Sequence, residues 1–120
     1  MPIATAITLE RVHDPKTHRI DALAVAKLYG LSVTQFARTI GESRETIKSR
    51  PASPKLQPKL KALVVAYDGL GTVFPEETIP KWLNHPARRL GGLSPLQFLE
   101  QHGLDSFQAL VDEVLEGVYA

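Results

Sequence analysis

The sequence contains no cysteine, so disulfide bonds, thiolate nucleophiles and thiolate metal ligands are all excluded. It also lacks a long apolar run: the stretch from Leu63 to Ala66 is far shorter than the roughly 20 residues of a membrane-spanning helix. No basic segment followed by an apolar one stands near Met1, and we expect no secretory signal peptide. These absences predict a soluble, cytoplasmic protein with no membrane partner.

Patterns typical of catalysis or metal binding are also missing. The four histidines are scattered: His13, His18, His85 and His102. The acidic pairs Glu76–Glu77 and Asp112–Glu113 are adjacent in sequence, so the members of each pair do not face one another on a helix. The segment Gly69-Leu70-Gly71 has neither the lysine nor the strand context of a phosphate-binding loop. We therefore expect no enzymatic activity, no cofactor and no metal.

Helix signals dominate what is present. The hydrophobic fraction of 43% over 120 residues is ordinary for a folded globular protein, and strand-like alternation is nearly absent. Residues 1–19 have no clear period and are interpreted as an extended arm or loop. Gly69, Gly71 and Pro75 separate a helical bundle over residues 20–70 from a second helical half over residues 76–120. The sequence therefore predicts an all-α fold.

Capping residues place the individual helices. Ser32 with Gln35, and Ser94 with Gln97, form capping boxes, and Pro95 suits a first helical position. The remaining helices are predicted to begin after Asp21, after Ser43, near 58, near 79 and after Asp105, and to end near Tyr29, before Pro51, near 70, near 84 and before Gly117. Apolar spacing places Ile20, Leu23, Ala24 and Leu28 on one face of the first helix. It predicts that the last helix buries Phe107, Leu110, Val111, Val114 and Leu115.

Charge is distributed unevenly along the chain. Residues 44–61 carry six cations and one acid, whereas residues 76–120 carry three cations and seven acids. This asymmetry indicates an anionic partner near the middle of the chain and a different partner for the C-terminal half. An ordinary solvated surface produces the same pattern, so the charge alone does not decide between the two interpretations.

Residues 31–50 have the pattern of a helix-turn-helix. Two short helices, each with a serine cap, meet at Gly41, and Ile47 anchors the second helix to the first. In a DNA reader the second helix enters the major groove. Such a helix would present five candidate contacts to bases and phosphates: Arg44, Thr46, Lys48, Arg50 and Lys55. A three-helix bundle that never touches DNA fits equally well, and Glu45 would repel phosphates.

The C-terminal half carries a specific series of motifs. Residues 82–99 read WLNHPARRLGGLSPLQFL and the chain ends EGVYA. Trp82-Leu83, Pro86, Leu90-Gly91-Gly92, Ser94-Pro95-Leu96 and Gly117-Val118-Tyr119, in this order behind a helix-turn-helix, resemble the toxin-binding domain of the Xre/MbcA/ParS antitoxin family. Pro51, Pro54 and Pro58 after the predicted recognition helix depart from the family's DNA-reading unit.

The resemblance implies a function for each half. Antitoxins of this family bind a RES-domain toxin that degrades NAD or transfers its ADP-ribose, and they block its active site with their C-terminal region. By analogy, the toxin-binding residues would be Trp82, Arg88, Arg89, Gly117, Val118, Tyr119 and Ala120. Many members also bind their own promoter and assemble as oligomers, which implies a homodimer within a hetero-oligomer. The alternative is a stand-alone helix-turn-helix transcription regulator.

Overall fold

The computed structural model describes residues 11–117, which contain seven α-helices and no β-strand. The helices are α1 (Ala22–Leu28), α2 (Val33–Ile40), α3 (Arg44–Ser49), α4 (Gln57–Leu70), α5 (Ile79–Asn84), α6 (Pro95–His102) and α7 (Leu104–Leu115). Three short 3₁₀ turns lie at Pro54–Leu56, Glu76–Thr78 and Arg88–Leu90. The predicted all-α fold is confirmed. None of these helices is long and apolar enough to cross a bilayer.

Side-chain caps begin four of the helices where the sequence predicts them. The Asp21 carboxylate accepts a hydrogen bond from the Leu23 amide at 2.8 Å, and the Ser43 hydroxyl accepts one from the Thr46 amide at 3.0 Å. Ser32 and Ser94 each close a complete capping box. Each cap satisfies amides that would otherwise lack a partner, and is typically worth about 1 kcal/mol of stability.

The start of α7 differs from its prediction. Asp105 lies inside the first turn, and Gly103 is both the C-cap of α6 and the N-cap of α7. Gly103 has a φ of 92°, a left-handed conformation that other residues resist. This conformation lets α7 begin at Leu104, two residues earlier than the Asp105 cap would allow. The Asp105 charge still favours the amino end of the helix.

The predicted apolar face of α1 is confirmed only in part. Ile20 is buried, and Ala24 and Leu28 are partly buried against the core, but Leu23 is not. Leu23 is 39% exposed, whereas Ala22, Val25 and Ala26 are buried. The helix is surrounded by α2, α3 and α4, and small alanines permit this close approach where leucines would not fit. At the other end of the chain, the side chain of Leu115 is likewise 39% exposed rather than buried.

One hydrophobic core runs through both halves of the chain. Helix α4 lies at its centre and buries residues on several sides, among them Leu60, Leu63 and Leu70. The same cluster extends from Val12 to Val114. Each fully buried leucine contributes roughly 1.5–3 kcal/mol relative to an exposed one, so α4 supports both halves. The division into domains at residues 71–75 stays a prediction.

In the described part of the predicted N-terminal arm, Arg11 and Val12 are helical rather than extended, and residues 13–20 form a short hairpin held on the core. Val12 is buried, and an isolated antiparallel bridge pairs His13 with Ile20. The Gln57 side chain accepts a hydrogen bond from the Ile20 amide at 2.8 Å and donates one to the Ile20 carbonyl at 3.0 Å. Gln57 therefore fixes this hairpin to the amino end of α4.

Candidate functional site

The first candidate surface is the outer face of α3. Gly41, with a φ of 69°, turns the chain out of α2, and Ser43 starts α3 two residues later. Ile47 is fully buried and holds α3 against the core. With Ile47 turned inward, the opposite face of this short helix is exposed to solvent. Gly41, Ser43 and Ile47 therefore act as the turn, the cap and the buried anchor that the sequence predicts for them.

Three of the five candidate DNA-contacting residues remain available on this surface. Arg44, Lys48 and Arg50 are exposed, and no carboxylate among residues 11–117 forms an ion pair with them. The Thr46 hydroxyl, in contrast, accepts a hydrogen bond from the Ser43 hydroxyl at 2.7 Å. Thr46 is therefore engaged in the start of α3.

Lys55, the fifth candidate, lies beside an acidic residue that sequence reasoning missed. The Glu42 carboxylate is 3.4 Å from the Lys55 ammonium and 2.7 Å from that of Lys59. Lys59 also donates to the Ile40 carbonyl at the carboxyl end of α2, at 2.8 Å. The hydrogen bond from Lys59 lowers the pKa of Glu42, since it favours the charged form. Both lysines thus have an internal partner.

The proline-rich connection after α3 forms one wall of a depression of about 390 Å³. Glu45, Arg50 and Lys55 contribute charged groups to its lining. The Pro51 carbonyl accepts a hydrogen bond from the Ala22 amide at 2.8 Å. The connection is therefore held against α1, and it gives the surface beside α3 a defined shape.

The toxin-binding residues that the resemblance implies lie on three separate segments of the C-terminal half, and among the described residues an ion pair joins only the segment with Arg89 to α7. Trp82 on α5 is half-buried, and its ring centroid lies 6.0 Å from that of Phe74. Leu83, the next residue, is buried in the core. The tryptophan is thereby held at the surface in a fixed position.

The two arginines lie in a tight turn over residues 87–93. The Ala87 amide donates to the Leu93 carbonyl at 3.0 Å, and the Gly92 amide donates to the Ala87 carbonyl, also at 3.0 Å. Gly91 and Gly92 have φ values of 70° and 89°, which explains why the turn requires two glycines. Arg88 and Arg89 are both exposed on it.

An ion pair connects this turn to the last helix. The Arg89 guanidinium lies 2.6 Å from the Glu113 carboxylate on α7. Glu113 precedes Gly117 by four residues, about 6 Å along a helix. Sequence reasoning missed Glu113, because the adjacent pair Asp112–Glu113 is typical of a solvated helix face. The only signal was the excess of acids in this half of the chain.

Gly117 ends α7 in the manner predicted. Its φ is 76°, and its amide donates to the Val114 carbonyl at 3.1 Å. A left-handed glycine just past the last helical turn is a common helix stop. The predicted tail residues Val118, Tyr119 and Ala120 lie outside the described residues. The structure therefore brings Arg89 next to α7, which ends two residues before Gly117.

No metal centre is evident in residues 11–117. The rings of His13 and His18 lie 5.3 Å apart, but this part of the chain holds no group of three or more histidine, aspartate or glutamate residues placed to bind a metal ion.

Comparison with solved structures gives one informative likeness. The chain is similar in fold to a chain of the crystal structure of the M. tuberculosis MbcT–MbcA toxin–antitoxin complex. The TM-score is 0.58, and the match covers 82% of this chain and 94% of the other at 21% sequence identity. At this identity the likeness establishes a shared fold. No family model and no curated protein matches the sequence.

Proposed function

We propose that this chain is an antitoxin, which binds a RES-domain toxin and blocks its NAD-processing active site with the C-terminal region. The observation that carries the proposal is the fold likeness to a chain of a toxin–antitoxin complex, which extends over most of both chains. The motif series from Trp82 to Tyr119 supports the antitoxin assignment independently of the fold. The RES-domain identity of the partner comes from that resemblance.

The geometry of α7 suits a blocking role. Val111 and Val114 are buried, so the helix is anchored in the core up to its last turn. Because Gly117 is already ordered, the segment that follows it would bind from a fixed starting point, which lowers the cost of ordering on binding. Tyr119 would supply a side chain of the kind that dominates binding energy at interfaces.

We propose that the same protein also binds operator DNA through α3. Arg44, Lys48 and Arg50, which are exposed and form no ion pair within residues 11–117, support this second role, since guanidinium and ammonium groups contact bases and phosphates. A homodimer within the toxin complex would place two copies of α3 on one operator. The protein would act in the cytoplasm as a binding protein without enzymatic activity. A stand-alone regulator would use α3 alone and require no toxin.

Deletion of residues 117–120 tests the antitoxin proposal. The truncated and full chains are each co-expressed with a RES-domain toxin encoded in the same operon, and cellular NAD and complex formation are measured. We expect the full chain to co-elute with the toxin and preserve NAD. We expect the truncated chain to keep its helical circular dichroism and lose protection. Full protection by the truncated chain would refute blocking by the tail.

A matched variant on the other surface separates the two roles. Arg44→Ala/Lys48→Ala changes only the exposed face of α3, so we expect it to protect NAD as well as the unchanged chain does. Operator binding, measured by gel shift at low salt, should fall for this variant and persist for the tail deletion. DNA binding by the full chain without any complex with the toxin would favour the stand-alone regulator.

A further inference from the structure

The two adjacent arginines of the 87–93 turn have different surroundings. Arg89 lies 2.6 Å from Glu113 on α7. Arg88 is exposed, and no carboxylate of residues 11–117 forms an ion pair with it. The family resemblance implies that both arginines contact the toxin, but only Arg89 forms an ion pair within residues 11–117.

We infer that Arg89 is a positioning residue that acts through Glu113, and that Arg88 is the arginine presented to an acidic group of the toxin. This inference rests on the proposed antitoxin function. The Arg89–Glu113 pair joins two segments that are 24 residues apart in sequence, the Leu-Gly-Gly turn and the last turns of α7. It thereby holds the turn that carries Arg88 against the helix that precedes the proposed tail before the toxin arrives.

The location of the pair explains why an ion pair is useful here. The turn lies between α5 and α6 and is stabilised mainly by its own backbone hydrogen bonds. Two of its residues are glycines, which lose the most conformational freedom on ordering. A contact from α7 restricts this freedom in the unbound protein, so less ordering remains to be done on binding.

The size of the effect follows from exposure. The side chains of Arg89 and Glu113 are 45% and 39% exposed, and ion pairs at such sites are weak because water and salt screen them. Loss of the pair is therefore expected to weaken toxin binding about two- to fivefold. Removal of an arginine that directly contacts a desolvated acid of the partner is expected to weaken binding more, by about tenfold or greater.

A double-mutant cycle on toxin binding tests the inference. Glu113→Ala and Arg89→Ala should each weaken binding, and the double variant should be no weaker than the worse single one, because both remove the same contact. The losses of toxin affinity caused by Arg88→Ala and by Glu113→Ala should multiply in the double variant, since the two residues act separately. The exchanged pair Arg89→Glu/Glu113→Arg should restore most of the affinity. Independent multiplication of the Arg89 and Glu113 effects, or no restoration, would overturn the inference.

Hydrogen exchange in the free protein tests the positioning without the toxin. Glu113→Ala should speed exchange of the Leu90, Gly91 and Gly92 amides severalfold. Asp112→Ala is the matched control, because it removes the same charge from the same helix turn but not the contact with Arg89. Unchanged exchange in Glu113→Ala would refute positioning. A wild-type chain that binds no RES-domain toxin would instead refute the proposed function. The exchange result would then still test whether Glu113 orders the turn.

Discussion

Glu42 is a single residue on which two lysines converge, and its pKa gives a test by pH. The side chain is only 10% exposed and receives a hydrogen bond of 2.7 Å from Lys59, which lowers the pKa of Glu42 below its ordinary value of 4.5. A carboxylate with a lowered folded pKa stabilises the fold above the unfolded pKa, and this contribution disappears as the pH falls through the folded value.

We therefore expect Glu42→Gln to lower the free energy of unfolding by about 1–2 kcal/mol at pH 7, and the difference from wild type to shrink below about pH 4.5. Urea unfolding at several pH values measures both quantities. Glu77→Gln is the control, since Glu77 is exposed and forms no ion pair within residues 11–117. A difference that stays constant down to pH 3 would contradict a role for the Glu42 charge.

Ser53 and Ser94 show how the same residue type can have opposite effects. The Ser53 hydroxyl is buried and has no hydrogen-bond partner within residues 11–117, whereas the Ser94 hydroxyl accepts a hydrogen bond from the Gln97 amide at 3.2 Å. Ser53→Ala removes an unsatisfied group, so we expect a gain of up to about 1 kcal/mol in unfolding free energy. Ser94→Ala should lose about 1 kcal/mol. Equal losses in urea unfolding would contradict this distinction.

At the scale of elements, Gly69 and Gly71 at the end of α4 form a natural pair of test sites. A Cβ at Gly69 would lie 3.1 Å from the tip of the Leu115 side chain, which is flexible and 39% exposed. A Cβ at Gly71 would lie 3.3 Å from the Asp68 carbonyl, which is backbone and cannot move aside easily.

Alanine in a helix interior is favoured over glycine by about 1 kcal/mol. We therefore expect Gly69→Ala to raise the melting temperature by a few degrees, because a small rotation of Leu115 accommodates the methyl group. Gly71→Ala lies at the helix end and should give no gain. The outcome that contradicts this is a Gly69→Ala protein less stable than the Gly71→Ala protein in thermal unfolding.

Helix positions were predictable from the sequence because their signals are local. Ser32 and Ser94 each bond to an amide three residues away, so the cap is visible in a window of four residues. Hydrophobicity alone did not predict which residues of α1 are fully buried. Ala22 and Ala26 are buried because neighbouring helices lie close to α1 and leave room only for small side chains. Local size matters there more than apolar character.

The side-chain contacts that build the candidate site were beyond sequence reasoning for a different reason. Arg89 meets Glu113 across 24 residues, and Gln57 meets Ile20 across 37. Nothing in the local sequence distinguishes these partners from other exposed arginines, glutamates or glutamines. The motifs located the candidate toxin-binding half, but the division of roles between Arg88 and Arg89 required the fold.

At the scale of the whole molecule, Glu76 anchors the connection between the two halves to other parts of the chain. Its carboxylate accepts hydrogen bonds from Arg11 at 2.7 Å and from the Tyr67 hydroxyl at 3.0 Å. Arg11 lies in the N-terminal segment and Tyr67 on α4, so Glu76 joins its own segment to two other parts of the chain. Together with the continuous core around α4, this arrangement leaves neither half with a separate core of its own.

We therefore expect the protein to unfold in a single cooperative transition. Trp82 is the only tryptophan and lies in the C-terminal half, so its fluorescence reports that half, whereas far-ultraviolet circular dichroism reports helices throughout the chain. In urea the two signals should give the same midpoint, because removal of α5, α6 and α7 would expose the buried side of α4. If fluorescence changed at a distinctly lower urea concentration than circular dichroism, the C-terminal half would unfold alone, and residues 20–70 and 76–120 would be two separate domains.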